Sequence, residues 1–147
     1  MEKRDFLKFL DNIFQPNGFK KKANSWYLEN EVLIKKIEVQ KSSYGNTYYL
    51  NYGFILKKME LENLNMHVFY GLSSSDSKEN QKIKKLLDFE NNILDEQRQK
   101  ELGKLVEINM LKKLIDINSE KDIVSELKKR PHLNDVPLIV KEYLNLE

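Results

Sequence analysis

Apolar residues recur every third or fourth position over residues 5–14, where Phe6, Leu7, Leu10, Ile13 and Phe14 form one stripe against Lys8, Asp11 and Asn12. That period predicts an amphipathic helix. Pro16-Asn17-Gly18 ends it, because proline cannot continue the hydrogen-bond ladder and Asn-Gly accepts positive φ. The period then drops to two. Ser25-Trp26-Tyr27-Leu28 reads as a strand, and residues 32–42 and 47–57 read as two more, joined by the turn-forming Ser43-Tyr44-Gly45-Asn46.

A two-residue loop, Tyr44-Gly45, fixes how those two long strands pair. It sets Lys41 opposite Tyr48, Val39 opposite Leu50, Ile37 opposite Tyr52, and Leu33 opposite Leu56. Apolar residues then meet apolar residues, whereas a slip of one residue would turn one whole set to the wrong face. Residues 66–72 supply a further strand, with Met66, Val68, Tyr70 and Leu72 on one side. The pattern predicts an α+β fold: an N-terminal helix on a four-stranded antiparallel sheet, followed by a helical C-terminal half.

Ser73-Ser74-Ser75-Asp76-Ser77 reads as a polar loop, and from about residue 80 the period becomes helical. Residues 95–116 carry Leu102, Leu105, Val106, Met110 and Leu114 on one stripe, with Ile108, Leu111 and Ile115 beside it. So wide a stripe predicts a helix packed on more than one neighbour. Ser119, followed by Glu120 and Asp122, reads as an N-cap whose helix stops near Arg130, before Pro131. A last helix is expected from Pro137 to Leu144.

Composition bounds this picture without redrawing it. A chain of 147 residues, 40% hydrophobic and 33% charged, suits a single domain over 1–147: helix and sheet to about residue 75, helices from about residue 80. It has no cysteine, which excludes disulfides, thiol nucleophiles and Cys-ligated zinc and suits a reducing compartment. The longest apolar runs, such as Val32-Leu33-Ile34 and Leu138-Ile139-Val140, are too short for a secretion signal or a membrane span, so a cytoplasmic protein without membrane association is expected. Leu146-Glu147 is open between native sequence and a cloning remnant. Net charge is +2, with the excess of basic residues in the first 60. That leaves nucleic acid open as a partner without arguing for it.

One stretch carries a resemblance. Gly18-Phe19-Lys20-Lys21, Trp26-Tyr27, the turn sequence Gln40-Lys41-Ser42-Ser43-Tyr44-Gly45-Asn46 and Tyr48-Tyr49-Leu50-Asn51-Tyr52-Gly53 resemble the small bacterial family catalogued as domain of unknown function 4304. The resemblance covers roughly residues 6–75 and implies the fold rather than an activity. Members often carry arginines in the strand after the hairpin. This chain has His67-Val68-Phe69-Tyr70 there, so no role for such arginines carries over.

The search for chemistry is mostly negative. His67 and His132 are the only histidines, and neither has a second soft ligand at metal-binding spacing. His67 is expected to be a surface or hydrogen-bonded strand residue facing away from Met66 and Val68, and His132 to lie exposed in a loop. Asp88-Phe89-Glu90 and Asp95-Glu96 lack the alternating oxygen donors and glycine of a calcium loop and read as a solvated acidic face. The five glycines form no phosphate-cradling loop, and Ser73, Ser74 and Ser75 lack a base. No catalytic residue, metal or cofactor is expected.

Two binding readings remain. Lys20, Lys21 and Lys22 with Trp26 could hold single-stranded nucleic acid, lysines neutralising phosphates while an aromatic face stacks a base. Against this, three lysines entering a strand more often serve solubility. The stronger reading is a protein-binding module, of the immunity or antitoxin kind, contacting its partner through Gln40, Tyr44, Tyr49 and Asn51. These surround the hairpin turn on the face opposite Ile37 and Val39, and tyrosine is enriched at binding hot spots. The apolar far end of that face, Ile34 and Ile55, is expected to lie under a C-terminal helix, since left open it would begin a sticky patch.

Overall fold

The computed structural model describes residues 1–146, so the question of Leu146-Glu147 falls partly outside the described residues. Helix α1 spans Lys3–Phe14 and buries Phe6, Leu10 and Phe14. A short 3-10 turn over Gln15–Asn17 follows, closed by Gly18 at φ 94°, a conformation that glycine adopts without Cβ strain.

The sheet is a five-stranded antiparallel meander in chain order: β1 Lys20–Lys22, β2 Ser25–Glu29, β3 Leu33–Lys41, β4 Tyr48–Leu56 and β5 Val68–Gly71. The β3–β4 register is the one the alternation selects, with Lys41 opposite Tyr48, Val39 opposite Leu50, Ile37 opposite Tyr52 and Leu33 opposite Leu56. The strand count is five rather than four, because the lysine run is itself a strand paired to Ser25–Tyr27. Ala23, at φ 57°, makes the tight turn between them. All three lysines are exposed, so no alternation marks them as a strand.

One face of the sheet, here called inner, presents Trp26, Leu33, Ile37, Val39, Leu50, Tyr52, Phe54 and Leu56 to one core. Every helix adds to that core. Phe6 of α1 meets Tyr48 and Phe89 at ring-centroid distances of 5.5 and 5.0 Å, and Phe14 sits edge-on to Trp26 at 5.1 Å. Aromatic pairs in such tilted geometries stabilise beyond their buried area. Helix α2 spans Ser77–Leu87 and is N-capped by Asp76, whose carboxylate accepts from the Lys78 N–H. The buried Arg98 guanidinium donates to the carbonyls of Leu86, Asp88 and Asn91 and lies over Phe89, tying down the turn between α2 and α3.

The helix expected over 95–116 is one continuous rod with a defect. Helix α3 (Asp95–Val106) runs into a π turn at Glu107–Leu111 and continues as α4 (Lys112–Asp116). The stripe is wide because the helix changes pitch within it. Helix α5 spans Glu120–Leu127, and Ser119 caps it as expected, accepting from the Asp122 N–H. Helix α6 spans Leu138–Tyr143, just inside Pro137. No helix is long and apolar enough to cross a membrane.

The C-terminal half docks on the inner face, where the Tyr52 hydroxyl reaches the Asn109 carbonyl and Lys35 Nζ donates to Asn118 Oδ1 at 2.8 Å. The cover expected from a C-terminal helix on the opposite, outer face comes instead from the connection between β4 and β5. Asn65 donates to Glu38 and accepts from Lys36, while Met66 lies over Gly53. A chain segment can lie this close because Gly53 has no side chain. Ile34 and Ile55 are half-buried at the far end.

Candidate functional site

The hairpin brings the four candidate contact residues to one end of the outer face in unequal states. Gln40 lies opposite Tyr49, and Glu38 lies opposite Asn51. Tyr44 sits at the tip, 98% exposed, and Tyr49 stands 48% exposed. Asn51 is buried, and its amide donates to Gln40 Oε1 at 3.1 Å. It orients the glutamine rather than offering a surface of its own. Tyr49 and Asn51 also border a groove of about 580 Å³ between β4 and α2, with Leu50, Leu72, Ile83 and Leu87 among its walls.

The lysine run and Trp26 are separated by the sheet. Lys20, Lys21 and Lys22 are exposed, but Trp26 is fully buried. Its indole Nε1 donates to Asp11 Oδ1 at 2.9 Å, and its ring meets Phe14. A side chain so placed has no face to stack on a base, so the expectation for Trp26 is corrected. Tyr27, its neighbour on the outer face, lies 5.7 Å from the Lys36 ammonium.

His67 is neither a surface residue nor a ligand in waiting. It is buried, with Nδ1 accepting the Leu56 N–H at 2.8 Å and Nε2 within 2.9 Å of the Glu60 carbonyl. That pair of contacts requires the proton on Nε2, and it locks the β4–β5 connection across the sheet. His132 is exposed, as expected.

The residues that the chain pattern did not single out gather around Tyr70. Its ring lies over Tyr52, while the Lys113 ammonium and the Arg130 guanidinium sit 4.7 and 4.6 Å from its centroid. Burial pushes the Tyr70 hydroxyl pKa up and the Lys113 ammonium pKa down. The π turn contributes here, because an i→i+5 ladder leaves a carbonyl without its usual helical donor. The Asn109 carbonyl takes the Tyr52 hydroxyl at 3.4 Å, and the Asn109 amide reaches Glu79 at 2.8 Å. A helical stripe with an added asparagine and lysine gives no sequence signal for such a cluster.

The architecture defines an α+β protein whose helices share one face of an antiparallel meander, with an aromatic and amide patch on the other. The chain belongs to the family described as domain of unknown function (DUF4304), whose sequence model matches residues 10–130. The kinship read on the hairpin therefore extends through the helical half to Arg130. No curated protein and no solved structure shows significant similarity to it.

Proposed function

We propose that this chain is a non-catalytic protein-binding module of the cytoplasm, of the kind that masks another protein, as immunity proteins and antitoxins do. The observation that carries this reading is Tyr49. It stands half-exposed on the sheet face that the helices leave free, with Gln40 held beside it by Asn51 and a groove on its other side. A large side chain with few rotatable bonds and a polar tip, next to a groove that can accept a partner's side chain, matches the anatomy of a binding hot spot. Tyr44 extends the same patch beyond the turn.

The test is a pull-down from native lysate with the wild-type chain and with a Tyr49→Ala, Gln40→Ala double variant, folding being checked by circular dichroism. A specific partner held by the wild type and released by the folded variant is the expected outcome. A partner retained by both would remove this surface. Single-stranded nucleic acid is the weaker reading, since its lysines are exposed but its indole is buried.

A further inference from the structure

Beneath the serine loop, on the side of the molecule that carries the helices, lies a cavity of about 600 Å³ bordered by Tyr70, Ser73, Ser75, Lys113, Lys129 and Arg130. A single carboxylate, Glu126, shares its wall with those three cations, an excess of two positive charges. Glu126 is engaged mainly by Lys129, at 2.7 Å. Its other oxygen stands 3.8 Å from Lys113 Nζ, beyond hydrogen-bond length. The Lys113 ammonium, half-buried and able to donate three hydrogen bonds, thus meets a distant carboxylate and the face of Tyr70.

The rest of the wall is held rigid. Arg130 donates to the Phe69 carbonyl at 3.0 Å and to Asp135 at 3.2 Å, which fixes its guanidinium on Tyr70. Tyr70 in turn is backed by Tyr52. Preorganised donors around an under-compensated charge form a receptor for an anion.

We propose that this cavity binds a phosphate dianion, either free or as the terminal group of a small phosphate monoester. Two negative charges match the excess on the wall, which a monocarboxylate would leave half-compensated. A tetrahedral oxyanion accepts from several directions at once, as the Lys113 and Lys129 ammonium groups and the Ser73 and Ser75 hydroxyls require. Ile108, exposed at the rim, and Pro131 offer an apolar wall for the body of a monoester. This site is independent of the hairpin patch and stands or falls apart from it.

The experiment is a titration of the labelled full chain, followed by amide NMR, with sodium phosphate, adenosine 5′-monophosphate and sodium acetate at constant ionic strength. Both phosphate probes should give saturable shifts at Ser73, Ser74, Ser75 and Lys113, and acetate should not. Tighter binding of the monophosphate would assign a monoester, and equal binding would assign free phosphate. Lys113→Gln, with its fold verified in the same spectra, should weaken binding about tenfold or more, the loss of one charge-assisted hydrogen bond. Lys104→Gln, on the exposed side of the same rod, should leave it unchanged. Absence of saturable shifts with both phosphates, unaltered binding by Lys113→Gln, or equal weakening by Lys104→Gln would overturn the proposal.

Discussion

Tyr70 lies nearly parallel to Tyr52, with ring centroids 5.1 Å apart and planes 10° from coplanar. The pair sits beneath the cations of the phosphate cavity, so the Tyr52 hydroxyl is shut off from water and held neutral. Burial raises its pKa first, and the neighbouring Tyr70 and Glu126 add to the effect against Arg130.

That shift makes stability depend on alkaline pH in a definite direction. An unfolded tyrosine ionises near 10.0, while folded Tyr52 keeps its proton well above that. Above that point the folded state binds more protons than the unfolded one, so stability falls as pH rises. Urea unfolding between about pH 8 and about pH 11 should show this fall, and Tyr52→Phe should make it shallower. The substitution should cost less than about 1 kcal/mol at neutral pH, since its bond to the Asn109 carbonyl is long. An equally steep fall in the variant would contradict the assignment.

Trp26 gives a second handle, being the only tryptophan in the chain. Asp11→Ala leaves its buried N–H without an acceptor and should cost about 1–3 kcal/mol in chemical denaturation. Its fluorescence should also be indifferent to a single-stranded oligonucleotide. Quenching by the oligonucleotide at physiological salt would restore the nucleic-acid reading.

Gly53 is the position where the strap over the sheet comes closest. A Cβ there would run into the Val68 carbonyl oxygen and the Met66 sulfur. A backbone oxygen cannot swing aside, so Gly53→Ala must part β4 from β5. We expect a loss of about 3 kcal/mol or failure to fold, at the upper end of overpacking penalties. A variant within about 0.5 kcal/mol of wild type would show that the strap does not lie there.

Tyr48 and Tyr49 are adjacent in sequence and opposite in environment. Tyr48 is 3% exposed among Phe6 and Phe89, whereas Tyr49 points outward. Alanine should cost about 3–5 kcal/mol at Tyr48 and less than about 0.5 kcal/mol at Tyr49. Thermal melts of the two single variants decide it, and comparable losses would place the strand in the other phase.

The hairpin was legible because both of its strands alternate and only one pairing puts Val39 on Leu50 and Ile37 on Tyr52. Strand β2 was legible as a strand but not in phase. Ser25-Trp26-Tyr27-Leu28 is apolar on both faces, and only the fold turns Trp26 inward to Asp11 and leaves Tyr27 outside. The lysine strand carries no alternation at all. The contact between Asn65 and the Lys36–Glu38 pair depends on a loop path that no periodicity encodes. Likewise, Tyr70, Lys113 and Arg130 come from three separate elements, and their meeting is a property of the packed molecule.

The π turn at Glu107–Leu111 makes this helix sensitive to a count rather than to identities. Its core residues Leu102, Val106, Met110 and Leu114 advance in steps of four. In an unbroken α-helix each such step overshoots a full turn by about 40°, so the last would stand about 120° around the axis from the first. One wide turn absorbs much of that drift. Removing a single residue between Glu107 and Leu111 would regularise the ladder and still misaim everything after it by roughly 100°, carrying Lys113 off Tyr70 and Leu114 out of the interior. The rod works as a ruler with one long division: substitutions along it can be absorbed, whereas changes of length cannot.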